Sequence, residues 1–468
     1  MSYLLFALFF SVFFFSILHV FKFLLQGKEE YILFFMCMLF CCYMSILSTT
    51  YLATGSTLLI GLVKASKELI FFLAVALFLL NKKDLFAYGF HLRFVDWVYL
   101  TFIAMSLAYV FVPFGQAAFA DKLVSFKNIA LVAAAYFLGR NSQLDGVGVK
   151  RAVYVIISIG VLAFCFNFLE YNSNVHFQSI SGYAKYNEDI NEIEPKGNYD
   201  LAWTFQTSFG KKRFAAFFSN PLELASSMLL SFSGAFFLFT ASRYESNKLI
   251  YLLAAACAMM SIYLSFSRSS MVAFFLLLAF ISLLKRYYAL IGLGILAVIL
   301  MIFYIGYFAE EELRDFILDT ITFRNPSSFG HLVEWLEGIE SMIQNPLGIG
   351  LGTSGSGASV DDELRVGGEN QFIIYGVQLG FLGLAIYLIL IFAAISICFR
   401  TYKKARTAEE QLIPFMASSV KFAMLMPSMT SNIETYLYIA TISWWMVGYS
   451  VKLNNQIRRE NSRILSST

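Results

Sequence analysis

Leu249-Ile-Tyr-Leu-Leu-Ala-Ala-Ala-Cys-Ala-Met-Met-Ser-Ile-Tyr-Leu264, then Ser265-Phe-Ser-Arg268-Ser-Ser270, then Met271-Val-Ala-Phe-Phe-Leu-Leu-Leu-Ala-Phe-Ile-Ser-Leu-Leu284: two apolar runs flank a serine-rich break that carries an arginine. A helix that crosses a bilayer takes about 20 mostly apolar residues, and both runs approach that length. A charged side chain deep in the hydrocarbon costs at least roughly 2.5–3.5 kcal/mol, so it is usually paired or functional. Arg213 opens a second phrase of this kind, Arg213-Phe-Ala-Ala-Phe-Phe-Ser-Asn-Pro-Leu-Glu-Leu-Ala225. Two cations held at one membrane face suit a diffuse double anion.

The whole chain follows the same pattern. It has 468 residues, of which 59% are hydrophobic, 18% aromatic and only 14% charged. A soluble domain carries about a quarter charged residues. The 51 phenylalanines in repeated apolar blocks predict an all-α polytopic membrane protein, a single integral membrane domain over residues 1–468. The first run, Tyr3 to Leu25, lacks a basic leader and a small-residue cleavage site, so it reads as a span. Cys37, Cys41, Cys42, Cys165, Cys257 and Cys398 all lie in apolar runs and read as small core residues. The net charge of +3 gives no reason to expect a nucleic-acid partner.

Apolar runs predict thirteen spans, near 3–25, 31–48, 57–80, 96–114, 123–139, 152–169, 219–240, 249–266, 270–284, 288–306, 370–397, 411–429 and 435–451. The run 57–80 is unusual in holding Lys64, Lys67 and Glu68. Alternate connections collect the basic residues: Lys82, Lys83 and Arg93; Arg140, Lys150 and Arg151; Arg243 and Lys248; Lys285 and Arg286; Arg400, Lys403, Lys404 and Arg406; and the tail from Lys452 to Arg463. The positive-inside rule makes that set cytoplasmic, with the C-terminus inside and the N-terminus outside.

Two long connections then fall outside, 171–212 and 307–369. Long loops in a compact fold are usually functional or disordered. The second contains His331-Leu-Val-Glu-Trp-Leu-Glu-Gly-Ile-Glu-Ser-Met-Ile343, whose helical spacing sets Leu332, Trp335, Leu336, Ile339 and Ile343 on one face. This predicts an amphipathic helix lying at the membrane surface or over a cavity. A helix stop and glycine-rich turn follow from Asn345 to Gly357. Asp361, Asp362 and Glu363 read as a solvated acidic run. Internal repeats, which would favour a transporter, are not evident.

The remaining cations, Lys64, Lys67, Lys127, Arg213, Arg268 and Lys421, fall near the outer ends of spans. One reading is a basic pocket that opens outward onto an anionic headgroup. The other differs by residue: snorkelling for Lys64 and Lys67, a structural role for Lys127 and Lys421, and a solvated run for Arg213 beside Lys211 and Lys212. Arg268 fits the pocket best, because its rigid fork of donors matches phosphate.

These phrases resemble the O-antigen polymerase and O-antigen ligase superfamily of bacterial membrane glycosyltransferases. Arg213 to Ala225 is similar to its Arg-x-x-Gly-x-Phe-x-Asn-Pro-Asn-x-x-Ala, and Leu264-Ser-Phe-Ser-Arg268-Ser to its Thr-x-Ser-Arg-Gly. His331-x-x-x-Trp335, Asn345-Pro-Leu-Gly-Ile-Gly350-Leu-Gly352, Glu369-Asn370-Gln-Phe and Gly380-Phe-Leu-Gly383 follow in the family's order. The likeness covers about residues 120 to 400. His331 stands where the family usually has arginine, Glu369 where the ligases and many polymerases have histidine, and Glu223 where a second asparagine is usual.

The resemblance implies a C-type membrane glycosyltransferase of the bacterial cytoplasmic membrane. It would join undecaprenyl-pyrophosphate-linked repeats on the outer face, with inversion at the anomeric carbon. The implied partners are lipid-linked donor and acceptor glycans and the bilayer, with a flippase and a chain-length regulator nearby. Arg213 and Arg268, with Lys127, Lys64 and Lys67, would bind pyrophosphate. Glu369, or else His331, would act as general base, while Trp335 and Asn370 would contact sugar. No metal or other cofactor is expected. Glu369 also suits a helix start favoured by the dipole, and Trp335 an apolar anchor at the interface. The missing histidine favours polymerase over ligase. A flippase or transporter of lipid-linked sugars is the alternative of another class.

Overall fold

The computed structural model describes residues 2–81, 91–207, 209–355 and 365–467. Among these residues the protein is helical throughout, apart from one isolated bridge pairing Gln206 with Lys212. The elements run α1 Ser2–Leu25, α2 Ile32–Phe40, α3 Tyr43–Thr54, α4 Thr57–Asn81, α5 Phe94–Phe111, α6 Phe119–Asn141 and α7 Gly146–Ser173. The first long connection holds α8 Phe177–Ile180 and α9 Tyr183–Asn191. Next come α10 Pro221–Ala241, α11 Glu245–Leu264, α12 Arg268–Lys285 and α13 Tyr288–Tyr307. The second long connection holds α14 Glu311–Ile321 and α15 Pro326–Gln344. The chain ends with α16 Gln371–Lys404, α17 Ala408–Ala423, α18 Leu425–Ser428 and α19 Leu437–Ser467.

Nine of the described helices are long and apolar enough to cross a membrane, or ten if the bent pair α2–α3, angled by 56°, counts as one span. The sequence predicted thirteen, and the differences have physical reasons. Helix α4 carries Lys64, Lys67 and Glu68 within its length. Helix α17 has only 16 residues, with Pro414 and Lys421 inside it. Helix α19 interleaves hydroxyls with its apolar residues and continues into a polar tail. Trp444 and Trp445 of α19 are nonetheless almost fully buried. By contrast α13 has no buried residue, so its apolar surface faces outward all round, as a lipid-exposed helix requires.

The basic ends converge. The Arg140 guanidinium pairs with Asp96 at 3.3 Å and donates to the His91 carbonyl at 3.3 Å, and Arg93 donates to Asn455. Lys150 pairs with Glu409 at 2.6 Å, and Arg406 donates to Asn461 at 2.6 Å. Asp145 caps α7 by accepting from the Gly148 N–H. Lys82 and Lys83 lie outside the described residues.

The longest helix is broken. At Gly380 the backbone of α16 turns to φ 71°, ψ −175°, a region open essentially to glycine alone. The break strands three backbone groups, and the Asn345–Gly352 turn takes all three. Ile349 and Gly350 donate to the carbonyls of Val377 and Gln378, at 2.8 and 3.1 Å, and the Phe381 N–H donates to the Pro346 carbonyl at 3.1 Å. The approach is backbone to backbone, so a Cβ at Gly380 would lie 2.3 Å from the Pro346 oxygen and one at Gly348 2.5 Å from the Gly380 nitrogen. Tyr109 on α5 donates to the Leu347 carbonyl at 2.7 Å, and Gln378 to the Ser354 carbonyl at 2.7 Å. The glycine-rich motif therefore works as a plug, and it fixes where the second long connection re-enters the bundle. Gly357 and the acidic run Asp361-Asp362-Glu363 lie outside the described residues.

Helix α15 spans the stretch where the spacing predicted a helix, but the face packed on the bundle is not the predicted one. Gly338 and Met342 pack toward α16 at Ile373 and Gly376, while Leu336, Ile339 and Ile343 are exposed. Gly380→Ala should cost at least about 1–3 kcal/mol of stability through strain alone. A thermal melt of the purified variant unchanged from wild type would contradict the plug.

Candidate functional site

Arg213 emerges from the first long connection, just before α10. The segment that carries it is fixed by buried polar contacts. The Glu170 carboxylate at the end of α7 accepts from the N–H groups of Phe177 and Ala216, at 2.7 and 2.9 Å. Gln178 donates to the carbonyls of Ala216 and Phe218, and Ser45 of α3 donates to that of Phe217. Asn220 caps α10 with Pro221 in its first turn, accepting from Leu222 and Glu223. The Asn-Pro of the motif is thus a helix start. Glu223, inside α10, is bonded to Ser219.

The Arg213 guanidinium donates to the Ser265 carbonyl at 2.9 Å. Ser265 belongs to the break between α11 and α12, so Arg213 is tied to the turn that carries Arg268. Ser267 caps α12 by accepting from the Ser270 N–H, which leaves Arg268 as the first helical residue. Arg268 then reaches the second long connection, donating to Thr320 at 3.1 Å and Ser328 at 3.4 Å. Burial pushes the Arg213 guanidinium down to about 10; Tyr436 and Glu369 pull it back up, and Arg268 presses it further down. Arg213 remains a cation at neutral pH, and the two arginines act on each other.

His331 on α15 and Glu369, just before α16, meet through Nδ1 and Oε2. Asn370 caps α16, its Oδ1 accepting from Phe372 at 3.0 Å and Ile373 at 3.2 Å. Trp335 sits one turn beyond His331, with Phe323 at 6.4 Å between ring centres. Its indole Nε1 is buried without a hydrogen-bond partner among the described residues. Burial raises the Glu334 carboxyl and the charge of Glu369 raises it further, while His331 and Arg365 pull it down. Arg268 bonds to Ser328, which stands three residues before His331 on α15, so the arginines and the carboxylate–imidazole pair are linked through α15.

Sequence reasoning missed Glu334 and Tyr436. Glu334 had a legible signal, standing three residues after His331 on the same helix face. Tyr436 had none. Lys64, Lys67 and Lys127 gather elsewhere, around Glu68: Lys127 lies 3.1 Å and Lys67 3.7 Å from its Oε1. Lys421, expected near an outer end, lies buried against the Trp444 ring at 3.9 Å. Among the described residues no group of three or more His, Cys, Asp or Glu is disposed to hold a metal ion.

The site joins two arginines to a carboxylate–imidazole pair. A scan of the chain against protein-family models gives no match, and a search of curated proteins gives none either.

The first connection also carries an acid-sensitive joint. His176 is buried among Tyr199, Phe205 and Phe214, next to the segment bearing Arg213. Burial, and then Lys212, push it down to about 4 from 6.5. The folded loop therefore excludes a proton that the unfolded loop takes up. The stability this contributes is full above about pH 6.5 and is lost as pH falls toward 4. Proteolysis within 171–212 should quicken between pH 7.5 and pH 5 in wild type and much less in His176→Phe; equal acceleration in both would contradict this role.

Proposed function

We propose that this chain polymerises lipid-linked oligosaccharide repeats as a metal-independent inverting glycosyltransferase. It acts on the outer face of a bacterial cytoplasmic membrane, with undecaprenyl-pyrophosphate-linked glycans as donor and acceptor. The observation that carries the reading is the run of contacts that links four residues from separate segments: Arg213 to the Ser265 carbonyl beside Arg268, Arg268 to Ser328 of α15, and His331 of α15 to Glu369. The motif likeness supports it. The orientation, N-terminus outside and C-terminus cytoplasmic, follows from the gathering of basic residues at the opposite ends of the same helices.

In this mechanism an acceptor hydroxyl gives its proton to Glu369, with His331 orienting that carboxylate. The hydroxyl oxygen bonds to the donor's anomeric carbon as the bond from that carbon to the pyrophosphate oxygen breaks. The electron pair leaves with the pyrophosphate, and Arg213 and Arg268 take up the developing charge, which lowers the barrier. Glu334, raised by burial, is a second candidate base. Trp335 would offer its aromatic face to a sugar ring.

A ligase would use the same donor with another acceptor, such as a lipid A core. A transporter of lipid-linked sugars draws on one specific observation. Glu434 sits within the bundle, accepting from Tyr387 at 2.8 Å and Trp444 at 3.1 Å. It borders a cavity of about 60 Å³, and Lys421 is close by. Ionisable groups inside a helical bundle serve proton relays in transporters. The outer-face cluster favours chemistry over transport.

Arg268→Ala as the sole copy should cut polymer formation by about 10²–10³-fold with protein still in the membrane, and full activity would remove the pyrophosphate role. Glu369→Gln should slow transfer by about 10²–10⁴-fold while donor binding persists; loss of donor binding instead would make Glu369 structural.

A further inference from the structure

A second basic cluster stands at the start of α5, the end of α6 and the polar stretch of α19. Arg93, the residue before α5, donates through Nε to Asn455 of α19. Asn455 and Arg140 of α6 both donate to the His91 carbonyl, each at 3.3 Å. Arg458 follows one turn beyond Asn455 on α19 and is exposed. The His91 carbonyl and the Asn455 amide thus gather Arg93, Arg140 and Arg458 from separate segments.

Asp96 answers one of these charges. Its carboxylate pairs with Arg140 at 3.3 Å, and also accepts from the Tyr136 hydroxyl and from the Arg93 backbone N–H at 2.7 Å. Arg93 and Arg458 are left as neighbouring like charges. Burial disfavours the Arg93 charge, and Arg458 and then Arg140 disfavour it further, while Asp96 favours it. The bond from Arg93 to Asn455 uses Nε, so it leaves the two terminal nitrogens, whose fork of donors matches a phosphate.

The surface beside this cluster is apolar and lies on the matching face. Trp97 stands four residues and Leu100 seven residues after Arg93, the spacing of one helix face. Phe94, Trp97 and Leu100 are strongly exposed, whereas Asp96, Tyr99 and Phe102 are buried. An exposed tryptophan one turn into an apolar helix suits the level of the lipid headgroups. Charge at the rim, with apolar surface along the helix below it, selects an anion that carries hydrocarbon chains.

We infer that Arg93 and Arg458 bind the phosphate of an anionic phospholipid whose chains lie against Phe94, Trp97 and Leu100. Basic pockets between spanning helices take such headgroups. This site is built from other residues than Arg213 and Arg268 and does not depend on what those bind. The headgroup ties α5 to α19, so bound lipid stabilises the folded chain by mass action.

Native mass spectrometry of the purified full chain in detergent, titrated with phosphatidylglycerol, tests this; phosphatidylcholine with the same chains is the control. Wild type should retain phosphatidylglycerol in preference. Arg458→Ala should weaken that retention about fivefold and Arg93→Ala/Arg458→Ala about thirtyfold. Arg93→Lys/Arg458→Lys should keep the preference. Lys403→Ala/Lys404→Ala, which removes the same charge from the end of α16, should retain the lipid as wild type does, and so should Arg213→Ala/Arg268→Ala. Arg458 is exposed, so its single variant reads the site even where loss of the Arg93 bond to Asn455 unfolds the double one. Equal retention of both lipids by wild type, or unchanged retention by Arg458→Ala, would overturn the inference. Equal weakening by the α16 lysine variant would show diffuse attraction to net charge, and loss with Arg213 and Arg268 would place the lipid at the other site; each overturns it as well.

Discussion

A helix that breaks inside an apolar bundle exposes backbone groups with no water to satisfy them, and each would cost several kcal/mol if left bare. Helix α16 breaks at Gly380 because the turn around Pro346–Gly350 supplies partners for the carbonyls of Val377 and Gln378 and for the N–H of Phe381. This exchange locks a sixty-residue connection to the bundle at one point. From that point α15 runs back over α16 through Gly338. His331, Glu334 and Trp335 are delivered by α15, and Glu369 by the start of α16. The site is therefore held from two sides by one backbone joint.

Charge completes the arrangement. Arg213 bonds to the Ser265 carbonyl in the break between α11 and α12, and Arg268 at the start of α12 bonds to hydroxyls of α14 and α15. Each arginine thus crosses between connections distant in the chain. Each finds its hydrogen-bond partners within the protein, which accounts for arginines amid apolar runs. The lysine centre follows the same economy, with Tyr43, Tyr186 and Asn191 sheltering ammonium groups that hydrocarbon would not.

What the sequence disclosed was whatever has a short period. Apolar runs announced helices, and the spacing from Leu332 to Ile343 announced an amphipathic one. Arg213 and Arg268 could be singled out because each interrupts an apolar pattern, His331 and Glu369 only through the motif likeness. The described helices give nine or ten candidate spans, not thirteen, because α4, α17 and α19 are apolar by content yet charged, short or hydroxyl-rich. The α16 break was hidden, since Gly380 inside an apolar run resembles an ordinary helical glycine until Pro346 is known to lie against it. Tyr436 and the separation of the lysines from the arginines depend on contacts far apart in the chain, which no local pattern encodes. Asn220 and Asn370 had been noticed through motifs; both cap helices.

The most direct test of the central claim is glycan size profiling in a strain lacking this chain, with lipid-linked material separated from surface-attached material. Polymerase activity predicts surface glycan reduced to single repeats. Full-length chains stranded on the lipid carrier, repeats trapped on the cytoplasmic side, or an unchanged profile would each contradict it.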